Sequence, residues 1–137
     1  MFIYYLKATM QRCIHPLFET QAGKNPDAVA VIFEGKKLTY RELNQKSNQL
    51  AHYLRQQGIG PESLVGMCVE RSLEMIIGIL GILKAGGAYV PLDLAYPKDR
   101  LAFILEDSAV PVLLTQEKLL NQIPDLTGKN GKSVQVI

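Results

Sequence analysis

The chain has 137 residues, with 15 Lys and Arg against 13 Asp and Glu, and its formal net charge is +2. A composition of 47% hydrophobic and 20% charged residues is that of an ordinary globular domain, and it excludes disordered and fibrous proteins. The nearly balanced charge provides no basic surface for nucleic acid, and the longest apolar run, Met75–Leu83, is too short to cross a membrane.

The first predicted elements are a β-hairpin and a long helix. The β-branched run Ala28–Phe33 and a short run ending at Thr39 flank turn-forming residues. Thr39 and Glu42 have the spacing of a capping box, which predicts a helix that begins at Tyr40. Gly58 ends this helix as a left-handed cap. The inward face of the helix is predicted to carry Leu43, Ser47, Leu50, Ala51 and Leu54.

The rest of the chain alternates between strand-like and helix-like segments. The continuous apolar run Leu64–Val69 is typical of a strand buried in a parallel sheet. A helix follows from about Ser72 to Ala85, in which Gly78 and Gly81 would permit close contact with a strand, and Gly86 terminates it. The later predicted elements are a strand at Ala88–Val90, a helix from Pro97 through Leu105, and strands at Val110–Thr115 and Val134–Ile137.

This order predicts an α/β fold, a layered and mostly parallel sheet with flanking helices. No helix-like segment follows the last strand to cover a face of the sheet, and unpaired strand edges are unfavourable in solvent. We therefore interpret the sheet as incomplete, and the chain as the front of a longer protein. The two cysteines lack metal-binding spacing and favour a reducing, cytoplasmic location.

No short motif predicts a catalytic, cofactor-binding or metal-binding residue, and we assign none. Gly128–Ser133 resembles the end of a phosphate-binding loop, but two residues separate its glycines instead of four, and a strand-like run follows it. Gly58–Gly60 follows a helix, so it is a cap and not a dinucleotide fingerprint. Asp93 follows a strand end, where α/β proteins place ligand contacts, yet we interpret it as a turn residue. The other polar candidates, interpreted as structural or solvated, are Cys13, His15, His52, Ser47, Ser63, Ser72, Ser108, Ser133, Asp99, Glu106 and Asp107.

Two whole strings are more informative than any single residue. Leu38–Leu43 reads LTYREL, and Leu83–Asp93 reads LKAGGAYVPLD. In this order they resemble the first and second core motifs of the adenylation domains of nonribosomal peptide synthetases, members of the adenylate-forming synthetase superfamily. The resemblance extends from Cys13 to about Thr115. Further segments similar to that family are His15–Glu19, Asn25–Ala30, Asn48–Ala51, Tyr96-Pro97 and Arg100-Leu101.

The resemblance implies that residues 13–137 are the N-terminal portion of an adenylation domain, in its large subdomain, and that residues 1–12 are a leader or linker remnant. Such domains convert an amino acid and MgATP to an aminoacyl adenylate, and then transfer the acyl group to a carrier-protein phosphopantetheine thiol. The family's phosphate loop and catalytic lysine lie beyond Ile137. This chain alone is therefore expected to be inactive and to bind no cofactor. Its implied partners are the remainder of the adenylation domain and a carrier domain.

Two alternatives stay open from the sequence. One is a fragment of a related acyl-activating enzyme, similar to acyl-CoA synthetases, that uses a carboxylic acid other than an amino acid. The other is a non-catalytic interaction module, or the first piece of a split enzyme, whose exposed sheet edge would pair with a separate polypeptide. The amino-acid substrate and the oligomeric state are not determined by these residues.

Overall fold

The computed structural model describes residues 16–124 and 135–136, and its first element is a helix, α1, over residues 16–24. An antiparallel hairpin of β1 (Val29–Phe33) and β2 (Lys36–Thr39) follows. Its two turn residues, Glu34 and Gly35, have φ of 49° and 79°, as a tight turn that matches the strand twist requires. The hairpin prediction is confirmed, whereas no helix was predicted for residues 16–24.

Helix α2 (Tyr40–Gln56) has the predicted beginning and end. The Thr39 hydroxyl accepts a hydrogen bond from the Glu42 N–H at 3.1 Å, and the Glu42 carboxylate accepts one from the Thr39 N–H at 3.0 Å. Gly58 has φ of 91°, which lets the Ile59 N–H reach the Leu54 carbonyl at 3.0 Å. The buried residues of the helix are Leu43, Ser47, Ala51 and Leu54, and Leu50 is partly buried, as predicted.

Four parallel strands form the main sheet: β3 (Leu64–Cys68), β4 (Ala88–Pro91), β5 (Val112–Thr115) and β6 (Gln135–Val136). Their order across the sheet is β4-β3-β5-β6. Helix α3 (Leu73–Lys84) links β3 to β4, and α4 (Lys98–Ser108) links β4 to β5. The fold-class prediction, an α/β layer with a parallel sheet and flanking helices, is confirmed. Helix α4 begins one residue after Pro97 and extends beyond Leu105, and a 3₁₀ helix at Glu117–Gln122 was not predicted.

Each face of the sheet is covered by different helices, because alternate strand residues point in opposite directions. Val65 and Met67 pack with residues of α2 and α3, including Leu54 and Ile82. Cys68 and Leu113 face the other way and pack with residues of α4. The residues of α4 in this second cluster are Leu101, Leu105 and Ile104. The central strands are therefore buried on both faces, as their uninterrupted apolar sequences indicated.

The two glycines of α3 permit close approach, but to different partners. A Cβ added at Gly78 would lie 2.9 Å from the Met67 Cε of strand β3. A Cβ added at Gly81 would lie 2.6 Å from the Leu50 Cδ2 of helix α2. The predicted contact with a strand is therefore found at Gly78 and is wrong at Gly81, because α3 is packed between the sheet and a second helix.

Candidate functional site

The strand order places a crevice at the carboxyl ends of β3 and β5. From β3 the chain first moves to β4 on one side and then returns to β5 on the other side. The gap between two such strands is where α/β sheets commonly bind ligands. An open cavity of about 640 Å³ lies there, and its lining includes Met67, Val69, Ile77, Leu114 and Gln116.

The polar groups at this crevice bind one another across the two strand ends. The Thr115 hydroxyl donates to the Cys68 carbonyl at 2.7 Å. The Gln116 side-chain carbonyl accepts from the Glu70 N–H at 2.9 Å. The Glu70 carboxylate lies 2.6 Å from the Lys118 ammonium, and this hydrogen bond and charge raise the pKa of Lys118. These bonds fasten the strand ends together, and they leave neither Glu70 nor Lys118 as an unpaired acid or base.

Asp93, at the end of β4, forms a turn. Its carboxylate accepts from the Ala95 N–H at 2.9 Å, and its carbonyl accepts from the Tyr96 N–H at 3.1 Å. Burial, and secondarily the charge of Asp93, raise the pKa of the Cys68 thiol. A buried thiol with a raised pKa stays protonated and is a poor nucleophile. This corner of the sheet therefore has the chemistry of a structural turn.

A buried cation lies elsewhere, at the end of α3. Lys84 is 5% exposed, and its ammonium donates to the side-chain carbonyls of Asn44 at 2.6 Å and Asn48 at 2.7 Å. The ammonium also lies 4.0 Å from the Glu19 carboxylate and 5.3 Å from the centroid of the Phe18 ring. Burial lowers the pKa of Lys84, and the charge of Glu19 acts in the opposite direction.

Sequence reasoning missed Lys84, although it lies inside the second string. The available signal was its position four residues after Leu80, which places both side chains on one face of α3. From the sequence, Lys84 was noted only as part of the second string and as the residue that follows the apolar run Met75–Leu83. The Arg55 guanidinium, from α2, also donates to the Lys84 carbonyl. Helix α2 thus binds both the backbone carbonyl and the side-chain ammonium of Lys84.

The serine candidates of the sequence serve local structure. The Ser47 hydroxyl donates to the Leu43 carbonyl at 2.8 Å within α2, and the Ser63 hydroxyl accepts from the Gly60 N–H at 3.0 Å. The Ser72 hydroxyl accepts from the Met75 N–H at 3.2 Å and caps α3. None of these hydroxyls is hydrogen-bonded to a histidine or a carboxylate in the contacts described for residues 16–124.

The remaining candidates do not converge on one place. His52 is exposed on α2, with Gln56 as its neighbour at 3.3 Å. Three carboxylates, Asp99, Glu106 and Asp107, are exposed on α4. Within residues 16–124, no group of three or more His, Cys, Asp and Glu could hold a metal ion. The candidates outside the described residues are Cys13, His15 and Gly128–Ser133.

Comparison with known proteins identifies a family. The sequence profile of the family described as "AMP-binding enzyme" matches residues 18–137. Gramicidin S synthase 2 of Brevibacillus brevis is 57% identical over 112 residues, which are 82% of this chain and 2% of that protein. Zwittermicin A synthase ZmaJ of Bacillus cereus is 56% identical over 116 residues, which are 85% of this chain and 22% of that protein. The chain therefore spans a small part of these relatives.

Solved structures give the same result. The nonribosomal peptide synthetase FmoA3 in its AMPPNP-bound form matches 90% of this chain and 13% of that chain, with a TM-score of 0.81 and 37% identity. The N-terminal subdomain of Klebsiella oxytoca NpsA, in complex with 3-hydroxybenzoyl-AMSN, matches 90% of this chain and 29% of that chain, with a TM-score of 0.75 and 27% identity. The resemblance to adenylation domains drawn from the two sequence strings is confirmed. Among the described residues, no helix is long and apolar enough to span a bilayer.

Proposed function

Because the chain belongs to the family of AMP-binding enzymes, we propose that residues 13–137 form the N-terminal portion of an amino-acid-activating adenylation domain, and that residues 1–12 are a leader or linker. The observation that carries this proposal is the 57% identity to gramicidin S synthase 2 over 112 residues. That identity is far above what a shared fold requires, and it extends over most of the chain. The proposed setting is nonribosomal peptide synthesis in the cytoplasm.

The proposed reaction of the whole domain has two steps. The carboxylate of an amino acid forms a bond to the α-phosphorus of MgATP, and pyrophosphate leaves with the electron pair of the broken bond. The second step would transfer the acyl group from the adenylate to the thiol of a carrier-domain phosphopantetheine, with loss of the thiol proton and release of AMP. The first step concentrates negative charge on phosphate oxygens and requires cationic or N–H groups aimed at them.

Four cationic side chains among the described residues already have other partners. Lys84 is buried between helices, Lys118 is paired with Glu70, and Arg41 lies 3.3 Å from the Asp27 carboxylate. Arg100 lies over the Tyr96 ring at 4.7 Å. We derive no ATP-dependent step through these residues. We propose instead that these residues support the fold, and that ATP, magnesium and phosphopantetheine bind to parts of the domain outside residues 16–124.

A second candidate is a related enzyme that activates an acid other than an amino acid. The observation that favours it is the NpsA structure, whose bound compound carries a 3-hydroxybenzoyl group, and which is 27% identical to this chain. The 57% identity to a gramicidin synthase favours the amino-acid reading over this one. The remainder of the domain and a carrier domain are the proposed partners in either case.

A chimera tests the proposal. Residues 16–124 would replace the matching segment of the adenylation domain of a close relative, and amino-acid-dependent exchange of pyrophosphate into ATP would be measured. We expect the chimera to keep the exchange activity and the amino-acid preference of its host, and the isolated chain to show no exchange. A folded chimera without exchange would contradict the scaffolding role, and exchange by the isolated chain would contradict its inertness. A chimera with Gly81→Leu, which overpacks α2 against α3, is the inactive control.

The choice between amino acids and other acids needs a different measurement. The protein encoded together with any in-frame continuation beyond the Ile137 codon would be assayed with a panel of amino acids and aryl acids. Exchange that depends on an amino acid supports the main proposal. Exchange that depends only on a non-amino acid supports the second candidate.

A further inference from the structure

We propose that Lys84 is a latch that holds helix α1 against the α2–α3 pair, so that removal of its amino group releases α1 while the rest of the fold stays intact. Here "latch" means the Lys84 ammonium with Asn44 and Asn48 on one side and Phe18 and Glu19 on the other. This role is separate from the proposed catalysis, since Lys84 is too deeply buried to touch a substrate.

On the α2 side, the latch is fixed by strong hydrogen bonds. Asn44 and Asn48 are one helical turn apart, so their side-chain carbonyls converge on one ammonium, at 2.6 Å and 2.7 Å. The Lys84 side chain is 3% exposed, and no buried side-chain polar atom among the described residues lacks a partner. A buried ammonium requires such partners, because its charge has lost its water.

On the α1 side, the same ammonium makes contacts of a different kind. It faces the Phe18 ring at 5.3 Å, within the range of a cation–π contact, and it lies 4.0 Å from the Glu19 carboxylate. The Phe18 ring also packs against Tyr40 at 5.8 Å between centroids. Because both residues belong to the first described turn of α1, the ammonium holds that turn by charge.

Besides these contacts with the ammonium, helix α1 is attached by Phe18, which packs against the apolar cluster of Leu38, Leu43 and Leu80. Ala22 is the buried residue of α1, and Leu17 is 65% exposed. The nine described residues of α1, 16–24, would not be stable as a helix without tertiary contacts. The α2–α3 contact is different, since it is built from apolar residues such as Ala51, Leu54 and Ile82, which belong to the central cluster. Removal of the ammonium therefore affects α1 most.

The latch also gives the lysine of the LKAGGAYVPLD string a role. Lys84 ends α3 immediately before the reversal at Gly86, whose φ is 90°, and strand β4 follows. The first described helix is thereby tied to the point where the chain enters the second strand of the sheet. This lysine acts as a positioning residue, and it needs no part in the chemistry.

Thiol labelling at two reporter positions tests the latch in the full chain. Cys13 would be replaced by Ser, Cys68 is already buried at 1% exposure, and a cysteine would be placed either by Ala22→Cys or by Ala51→Cys. Ala22→Cys reports release of α1, and Ala51→Cys reports opening of the α2–α3 core. In the Lys84→Met variant, we expect the thiol of Ala22→Cys to be labelled about tenfold faster than in the same reporter protein with Lys84 present. The thiol of Ala51→Cys should be labelled at an unchanged rate.

Each other outcome overturns the proposal. If both reporters label faster by the same factor, Lys84 supports the whole fold and is no latch. If neither rate changes, the ammonium does not hold α1.

A second pair of variants keeps the test decisive if Lys84→Met folds poorly. Glu19→Gln removes the charge on the α1 side alone and leaves both asparagine contacts in place. We expect about threefold faster labelling at Ala22→Cys, because the Glu19 side chain is half exposed and its ion pair with Lys84 is correspondingly weak. The labelling rate at Ala51→Cys should not change. Lys24→Met, which removes an exposed lysine of the same helix, is the matched control and should leave both rates unchanged. A rate for Glu19→Gln equal to that of Lys24→Met would overturn the latch.

Discussion

The sharpest stability prediction concerns the two glycines of α3, because they lie in one helix and face different neighbours. Gly81→Ala places a methyl group 2.6 Å from Leu50 Cδ2, 2.8 Å from its Cγ and 3.0 Å from its Cβ. Gly78→Ala places a methyl group 2.9 Å from Met67 Cε and 3.8 Å from Leu114 Cδ1. The first contact involves the base of a side chain, whereas the second involves the flexible tip of a methionine.

The expected magnitudes follow from two opposing effects. Replacement of Gly by Ala inside a helix raises the free energy of unfolding by about 1 kcal/mol. Overpacking of a core lowers it by about 1–3 kcal/mol when the neighbours have no room to move. At Gly78 the methionine tip can rotate away, so we expect a net change between zero and a gain of about 1 kcal/mol. At Gly81 the crowding includes Leu50 Cβ, which cannot move without α2, and we expect a net loss.

The assay is urea-induced unfolding of the wild type and both variants, followed by circular dichroism. The difference between Gly78→Ala and Gly81→Ala cancels helix propensity and leaves the packing cost, about 1–3 kcal/mol, or roughly 1 M in the midpoint of unfolding. Leu50→Ala should recover part of the loss in Gly81→Ala, since it removes two of the three crowded atoms. Equal midpoints for the two glycine variants would refute the assigned packing of α2 against α3.

Three further changes give smaller, distinct effects on the free energy of unfolding. Thr39→Ala removes the acceptor of the Glu42 N–H and should cost about 1 kcal/mol in urea-induced unfolding, whereas Thr39→Ser should retain most of the cap. Gly58→Ala places a Cβ at φ of 91° and should cost about 1 kcal/mol or more, and Gly23→Ala, with nothing within 4 Å and an ordinary φ, is its control. Burial holds the pKa of Lys84 below its ordinary 10.5, so the unfolded chain binds more protons between the two values and stability rises as the pH increases toward 10.5. Urea titrations over that range should show a smaller rise in Lys84→Met, and an equal rise in both proteins would contradict the assigned burial of its charge.

Local elements were predictable from the sequence because their determining contacts are close together in the chain. The capping box joins Thr39 and Glu42, three residues apart, and the turn at Glu34 and Gly35 joins adjacent strands. Helix α1 was missed because most of its residues are exposed, so it has no apolar stripe to mark it. The 3₁₀ helix at Glu117–Gln122 was missed for a similar reason, since short helices of this type carry little periodic signal.

The candidate site was less predictable, because its contacts join distant residues. Asp93 was recognised as a residue at a strand end, since that position can be read from the order of strand and proline. The crevice between β3 and β5 requires the strand order β4-β3-β5, and nothing in the separate strand sequences distinguishes this order from others. The hydrogen bond from the Glu70 N–H to Gln116 spans 46 residues and follows only from that order.

The sequence by itself determined the helix caps, the hairpin, the alternation of strands and helices, and the family, because each depends on nearby residues or on whole strings such as LTYREL. The tertiary structure alone decided which strand lies between its neighbours, which helix fills the space above Gly81, and that Lys84 is buried. In all three cases the deciding contacts join residues that are far apart in the sequence. The ammonium of Lys84 is stable in the interior only because Asn44 and Asn48, 40 and 36 residues earlier, are brought to it by the packing of α2 on α3.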